Sequence, residues 1–205
     1  MKSDTIITIG RQFGSGGREI GKAIADKLDI PFYDRELITL ASERSGVTKE
    51  LLEQADEQAT NPFFQSFAST SFMAGGRLSL PTEISINDKL FFAQADIIKK
   101  AADEGSCVIV GRCADYILRD HPSCVNFFIH ADLDFRIRRV AELYDLHPND
   151  AKNTILKTDK KRASYYNYYT NKDWDNIGSY DLAVNSAYLD IEKTTDLLLD
   201  YANLL

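Results

Sequence analysis

The spacing of apolar positions along this chain alternates between two regimes. Five short runs are dense in branched or aromatic residues: Thr5–Ile9, Ile30–Tyr33, Cys107–Val110, Val125–Ile129 and Leu182–Val184. Each is too short for a stable helix, and nearly continuous apolar character predicts strands buried on both faces. Between them the period changes to three and four. Ile20, Ala23, Ile24, Ala25 and Leu28 share one face of a helix that should open near Gly17 or Arg18. Further helices are predicted over Glu36–Ser45, from Thr48 as N-cap to Gln58, over Ile86–Glu104 and Leu133–Leu143, and from Asp190 to about Asn203. The stretch "HPNDAKNTILKTDKKRASYYNYYT" reads as a basic helical segment ending in four tyrosines. Strands separated by helices predict an α/β fold with a parallel sheet built from βα units. Residues 59–82, "ATNPFFQSFASTSFMAGGRLSLPT", break the rhythm and read as a functional or a mobile loop. No internal repeat or linker interrupts the chain, so residues 1–205 are expected to form one domain.

Composition narrows the picture in three ways. A chain of 205 residues with 44% hydrophobic and 27% charged residues suits one soluble globular unit. A net charge of −7 argues against a general nucleic-acid binder, although cations gather at 136–139 and 157–162. Cys107, Cys113 and Cys124 are odd in number and lack CxxC spacing, which favours buried thiols over a disulfide framework or a zinc site. The N-terminus has no long apolar core, and no run approaches the roughly 18 residues a membrane span needs, so the expectation is a cytoplasmic protein without a membrane partner. His121, His130 and His147 are dispersed and have no ligand spacing; no metal ligands are assigned.

The first strand runs into "TIGRQFGSGGREIGKAIADKL", where Gly14, Ser15, Gly16 and Gly17 precede the predicted helix. Strand, glycine turn, helix is the layout of a phosphate cradle. Inward-turned backbone N–H groups and the helix N-terminus together attract phosphate oxygens. The usual loop ends in Gly-Lys and a hydroxyl residue, whereas here Gly17, Arg18 and Glu19 follow. Arg18 can grip phosphate with a forked pair of donors, which a lysine cannot. The plainer alternative is a glycine turn chosen for close strand–helix packing. A dinucleotide fingerprint fails, because its third glycine would fall at Glu19. Asp34 and Arg35 follow the second strand, and Gly111 and Arg112 follow the third. Ligands of open parallel sheets bind outside the carboxyl ends of the strands, so these residues should converge with the loop on one crevice. Asp34 reads equally well as the N-cap of the next helix.

Together "ITIGRQFGSGGREIGKAIADKLDIPFYDREL", "VIVGRCADYIL" and "KTDKKRASYYNYYTNKDW" resemble the cytidylate kinase-like family, a nucleoside monophosphate kinase branch of the P-loop NTPases. The resemblance spans Thr5 to Tyr201 and implies a P-loop NTPase fold: a five-stranded parallel sheet flanked by helices. It also implies a small NMP-binding lobe over 35–85 and a lid region over 145–180. The family reaction moves the γ-phosphoryl of ATP, with Mg2+, onto CMP or dCMP. Carried over by position, Gly14, Ser15, Gly16, Gly17, Arg18 and Glu19 would hold the ATP phosphates, with Arg18 where the lysine stands. Asp34, Arg35 and Arg112 would meet the acceptor, Cys113 replacing the aspartate of a Gly-Arg-Asp motif. Arg136, Arg138 and Arg139 resemble the basic helix after the fourth strand. Lys157, Asp159, Lys160, Lys161 and Arg162 would form the lid, and Arg18, Arg112, Lys160 and Arg162 would act on the transferring group. The tyrosines and Trp174 are expected to pack rather than stack on nucleic acid. Two other readings stay open: a non-catalytic nucleotide-binding module of the same fold, and a kinase for another small acceptor.

Overall fold

The computed structural model describes residues 5–34 and 86–205. Its strands are β1 (Ile6–Arg11), β2 (Phe32–Tyr33), β3 (Cys107–Val110), β4 (Cys124–His130) and β5 (Leu182–Asn185). They form one sheet in the order β2-β3-β1-β4-β5, and every pairing is parallel. Each predicted run is a strand, so the expected five-stranded parallel sheet is present. The helices are α1 (Gly17–Leu28), α2 (Ile86–Asp103), α3 (Ala114–Ile117), α4 (Leu133–Tyr144), α5 (Pro148–Thr170) and α6 (Ile191–Leu204). α3, only four residues long, is too short for periodicity to show. The helices predicted over 36–45 and 48–58, the stretch 59–82 and Arg35 lie outside the described residues.

The strand pattern follows from burial on both sides. Ile7, Ile9, Val108, Val110, Phe127 and Ile129 pack toward Ile20 and Ile24 of α1 and Leu198 of α6. The alternate residues Ile6, Cys107 and Ile109 pack with Ile97 and Ile98 of α2 and Ala114 of α3. Successive side chains point to opposite faces, so a strand between two helical layers must be apolar at almost every position. Thr8 is the polar residue among the buried positions of β1, and its hydroxyl donates to Asn126 Oδ1 at 2.7 Å.

Helix ends carry the signals expected of them. Asp190 caps α6 by accepting the Lys193 N–H at 2.7 Å. Pro148 opens α5, where a missing N–H costs nothing. α4 and α5 pack through Val140, Ala151 and Ile155, with Phe13 of the glycine loop against them. The carboxyl ends of β1, β2 and β3 deliver Arg11, Asp34 and Gly111-Arg112 to one edge of the sheet, beside the loop.

Candidate active site

Central strand β1 ends at Arg11, and the chain turns through Gln12–Gly16 into α1. Gly14 and Gly16 both have φ near +80°, which bends the loop back on itself. Three neighbours pin it. Gln12 Oε1 accepts the Ala131 N–H, and Asp159 of α5 accepts the Phe13 N–H at 2.7 Å. Ser186 donates its hydroxyl to the Ser15 carbonyl at 2.6 Å. Arg136, with a side chain only 8% exposed, pairs with Asp159 and donates to the Phe13 and Ala131 carbonyls. The loop shape is thus imposed by β4, α4 and α5 as much as by its own glycines.

Four guanidiniums gather around one carboxylate. Arg18 Nε donates to Asp34 Oδ2 at 2.7 Å, and Arg11 Nη2 lies 3.8 Å from Asp34 Oδ1. Arg162 donates to the Arg11 carbonyl at 2.9 Å, with its guanidinium over the Phe13 ring. Burial pushes the Arg11 guanidinium down to about 9; Arg162 adds to this, Asp34 opposes it, and Arg112 and Arg18 push it further down. Arg162 is lowered as well, first by burial and against the pull of Asp159 and Asp34. Such a cluster of mutually repelling guanidiniums suits a multiply charged anion.

Two clefts flank this cluster. The first, of about 480 Å³, is bordered by the loop residues Phe13, Gly14, Gly16 and Gly17, by Arg18 and Glu19, and by Arg139, Leu143 and Tyr144 of α4. The second, of about 340 Å³, is bordered by Gly111, Arg112, Asp115 and Lys161 and by the rings of Tyr165, Tyr166, Trp174 and Tyr180. Arg11, Asp34 and Arg162 border both.

Most of the residues singled out from sequence meet here. Gly14, Gly16, Gly17, Arg18 and Glu19 line the first cleft; Ser15 is buried behind it, donating its hydroxyl to the Gln12 carbonyl. Glu19 takes Arg139 Nη2 on both carboxylate oxygens, each at 2.6 Å. Arg112 lines the second cleft, with φ at +59° between Gly111 at +78° and Cys113 at +57°. Three successive residues in the left-handed region mark a backbone held against its preference at a site edge. The lid residues divide by helix phase. Asp159, Lys161 and Arg162 face the loop and clefts, whereas Lys157 and Lys160 are exposed and border neither. Ile155 and Tyr166, both buried, turn Asp159 and Arg162 inward and Lys157 outward, while Lys160 and Lys161 flank that face on opposite sides and the second cleft lies on the side of Lys161. The tyrosines do pack: Tyr169 stacks on Phe91 at 4.0 Å, and Trp174 meets Phe128 edge-on.

Sequence reading passed over Arg11 and Asp115. Asp115 is half-buried beside the second cleft, accepts the Tyr166 hydroxyl at 2.6 Å, and is pushed up from its ordinary value by desolvation. Two residues past Cys113, it supplies a carboxylate at the same edge. No group of three or more His, Cys, Asp or Glu side chains placed to hold a metal occurs among the described residues.

The profile of the cytidylate kinase-like family matches residues 6–188. The chain belongs to that family. A cytidylate kinase of Methanobrevibacter smithii is 25% identical over 95% of this chain and 96% of its own length. A cytidylate kinase of Halobacterium salinarum is 29% identical, in a match covering 45% of this chain and about half, 48%, of that relative. Among solved structures, an uncharacterized protein from Eubacterium ventriosum superposes with a TM-score of 0.71 at 29% identity, over 97% of this chain and 98% of that one. A shikimate kinase from Bacteroides thetaiotaomicron gives 0.54 at 16% identity, over 98% and 99% of the two chains, which is a likeness of fold. The P-loop kinase fold expected from the sequence is therefore the fold observed. No helix among the described residues is long and apolar enough to cross a membrane.

Proposed function

We propose that the protein is a nucleoside monophosphate kinase that moves the γ-phosphoryl of ATP onto the phosphate of CMP or dCMP. One observation carries this reading: two clefts meet at a shared wall made of two arginines and a carboxylate. A donor and an acceptor that both bear phosphate need such a cationic boundary. The cations Arg112, Lys161 and Arg162 that border the second cleft suit a charged acceptor phosphate better than a neutral hydroxyl.

In this reading ATP lies in the first cleft, its phosphates along the loop amides and the N-terminus of α1, where the helix dipole adds positive potential. The acceptor phosphate lies against Arg112 and Lys161 in the second cleft, with the aromatic wall available to its base. An acceptor phosphate oxygen is already deprotonated, so attack requires no general base. Catalysis comes from alignment and from cations placed where charge spreads over the transferring group. Magnesium fits as an ion that arrives with ATP rather than one caged by protein, since it keeps several waters and takes one or two carboxylates. Asp34 would hold it: Oδ2 accepts from Arg18, while Oδ1 makes only the longer approach to Arg11 among the described residues. When bound, the ion supplies neutralisation of the β- and γ-phosphate oxygens.

The test is ADP formation from ATP and magnesium in the presence of CMP, dCMP, UMP, AMP, GMP or no acceptor. Rapid ADP formation that depends on CMP or dCMP is expected. Silence with every acceptor, in protein that binds ATP, would leave a nucleotide-binding module instead.

A further inference from the structure

We propose that Arg11 is the cation the glycine loop lacks, reaching from the end of β1 to grip the phosphoryl group that passes between the two clefts. The proposal rests on the kinase reading above and names the group that would act at its centre.

The loop motif GxxxxGK(S/T) places its lysine at the residue after its second glycine, where the helix begins. Here Gly16 is the N-cap of α1, so Gly17 is the first helical residue. In that register the lysine position holds Gly17, and the leading glycine position, six residues earlier, holds Arg11. Glycine and cation have changed places. Arg18, which the resemblance puts in the lysine's place, is one residue further on, with a side chain 59% exposed at the cleft rim.

The exchange has a steric basis. A Cβ added to Gly17 would lie 2.5 Å from Arg11 Cβ and 3.2 Å from its Cγ. The two positions therefore abut, and only one of them can carry a side chain. At its far end Arg11 lies over Gly111, where an added Cβ would come within 2.0 Å of Nη1. Two glycines, distant in sequence, bracket the arginine from stem to tip. That accounts for both glycines, each an unusual residue to find in the first turn of a helix or directly after a buried strand.

Position and charge complete the argument. Arg11 borders both clefts, so a phosphoryl group moving from one to the other must pass beside it. Its carboxylate partner among the described residues is Asp34 at 3.8 Å, beyond hydrogen-bonding distance. Burial and three neighbouring arginines leave the guanidinium in want of an anion, which a triphosphate provides.

The test compares wild type with Arg11→Met, Arg11→Gly and the double variant Arg11→Gly/Gly17→Lys. Dissociation constants for ATP and ADP are measured by calorimetry, and turnover is measured with the best acceptor of the wild type. Arg11→Met keeps the stem and removes the charge. It should retain the wild-type melting temperature, lose ATP affinity more than ADP affinity, and lose about a hundredfold or more in kcat, the effect of deleting one charge-stabilising donor. The double variant should recover at least about tenfold over Arg11→Gly, because it restores the usual arrangement on the other member of the abutting pair. A folded Arg11→Met with wild-type nucleotide affinities and turnover would make Arg11 a packing strut and overturn the proposal. A double variant no better than Arg11→Gly, or one that does not fold, would overturn the exchange. If the wild type transfers to no acceptor while Arg11→Met still loses preference for ATP over ADP, the kinase reading fails and the Arg11 phosphate site stands.

Discussion

Asp159→Ala should damage both the stability of the protein and its hold on ATP, and the two effects can be separated. Asp159 and Arg136 form an ion pair with side chains 16% and 8% exposed. The same carboxylate accepts the Phe13 N–H at 2.7 Å. Alanine leaves Arg136 charged and buried without a carboxylate, and leaves one loop N–H without its acceptor. Removing one partner of a buried pair costs about 3–5 kcal/mol. Arg136 would keep its bonds to the Ala131 and Phe13 carbonyls, at 3.0 and 3.3 Å, which argues for the lower end. In a domain of this size a loss of about 3 kcal/mol lowers the melting temperature by roughly 6–12 °C. Thermal and urea unfolding of Asp159→Ala, Arg136→Met and Arg136→Met/Asp159→Leu form the necessary cycle. The double variant should recover most of the loss, because neither charge is then stranded. ATP affinity, measured well below the melting temperature, should fall in Asp159→Ala because residues 12–14 lose an anchor. A melting temperature within about 2 °C of wild type, or a purely additive cycle, would refute the claim that this pair clamps the loop.

Two further outcomes follow from the second cleft. Arg112→Ala should raise the KM of the acceptor and leave that of ATP nearly unchanged; losing a charged hydrogen bond of about 1.5–3 kcal/mol corresponds to roughly ten- to hundredfold in kcat/KM. An equal loss for both substrates would remove Arg112 from the acceptor side. Asp115 is raised above its ordinary 3.8, chiefly by burial, against the opposing bonds from Tyr166 and backbone N–H groups. A raised folded-state value means that this group's contribution is fully present below 3.8 and is lost as pH climbs through the raised value. Asp115→Asn carries no such loss and can still accept from Tyr166, so its melting temperature relative to wild type should rise with pH and then level off. A difference independent of pH would show that Asp115 is not stabilised in its protonated form.

The sheet was legible in sequence because its strands are buried on both faces, which forces nearly unbroken apolar runs such as Ile6–Ile9 and Cys107–Val110. The glycine turn between β1 and α1 was legible because consecutive glycines mark a sharp change of direction, and Gly14 and Gly16 do take φ near +80°. The partner of Glu19 was not legible: it lines the first cleft, and its carboxylate is engaged by Arg139 of α4, which is 120 residues away in sequence. Lys157 and Lys160 look equivalent to Lys161 and Arg162 because a basic run carries no phase; a helical wheel anchored on the buried Ile155 and Tyr166 turns Arg162 inward and Lys157 outward but places Lys160 and Lys161 symmetrically, and only the second cleft on one flank of α5 separates those two. Arg11 was harder. It reads as the polar end of a strand, and its setting depends on Gly17 and Gly111, which meet its two ends only once β1 and β3 pair.

That dependence suggests what the exchange of glycine and cation achieves. A lysine projecting from the first turn of a helix has four rotatable bonds to order when phosphate arrives, a cost of up to about 2 kcal/mol in rotamer entropy. Arg11 has its stem against Gly17, its tip over Gly111, and its carbonyl held by Arg162 at 2.9 Å. Most of that ordering is complete before any ligand binds. The same Arg162 bond ties α5 to the end of the central strand, so the helix that lines the second cleft and the strand that feeds the glycine loop are registered through one backbone atom. A cation delivered from the sheet is therefore better fixed relative to both substrates than one delivered from the loop. The cost is desolvation of a guanidinium among three others, and only an anion as highly charged as the phosphates of two nucleotides would offset it.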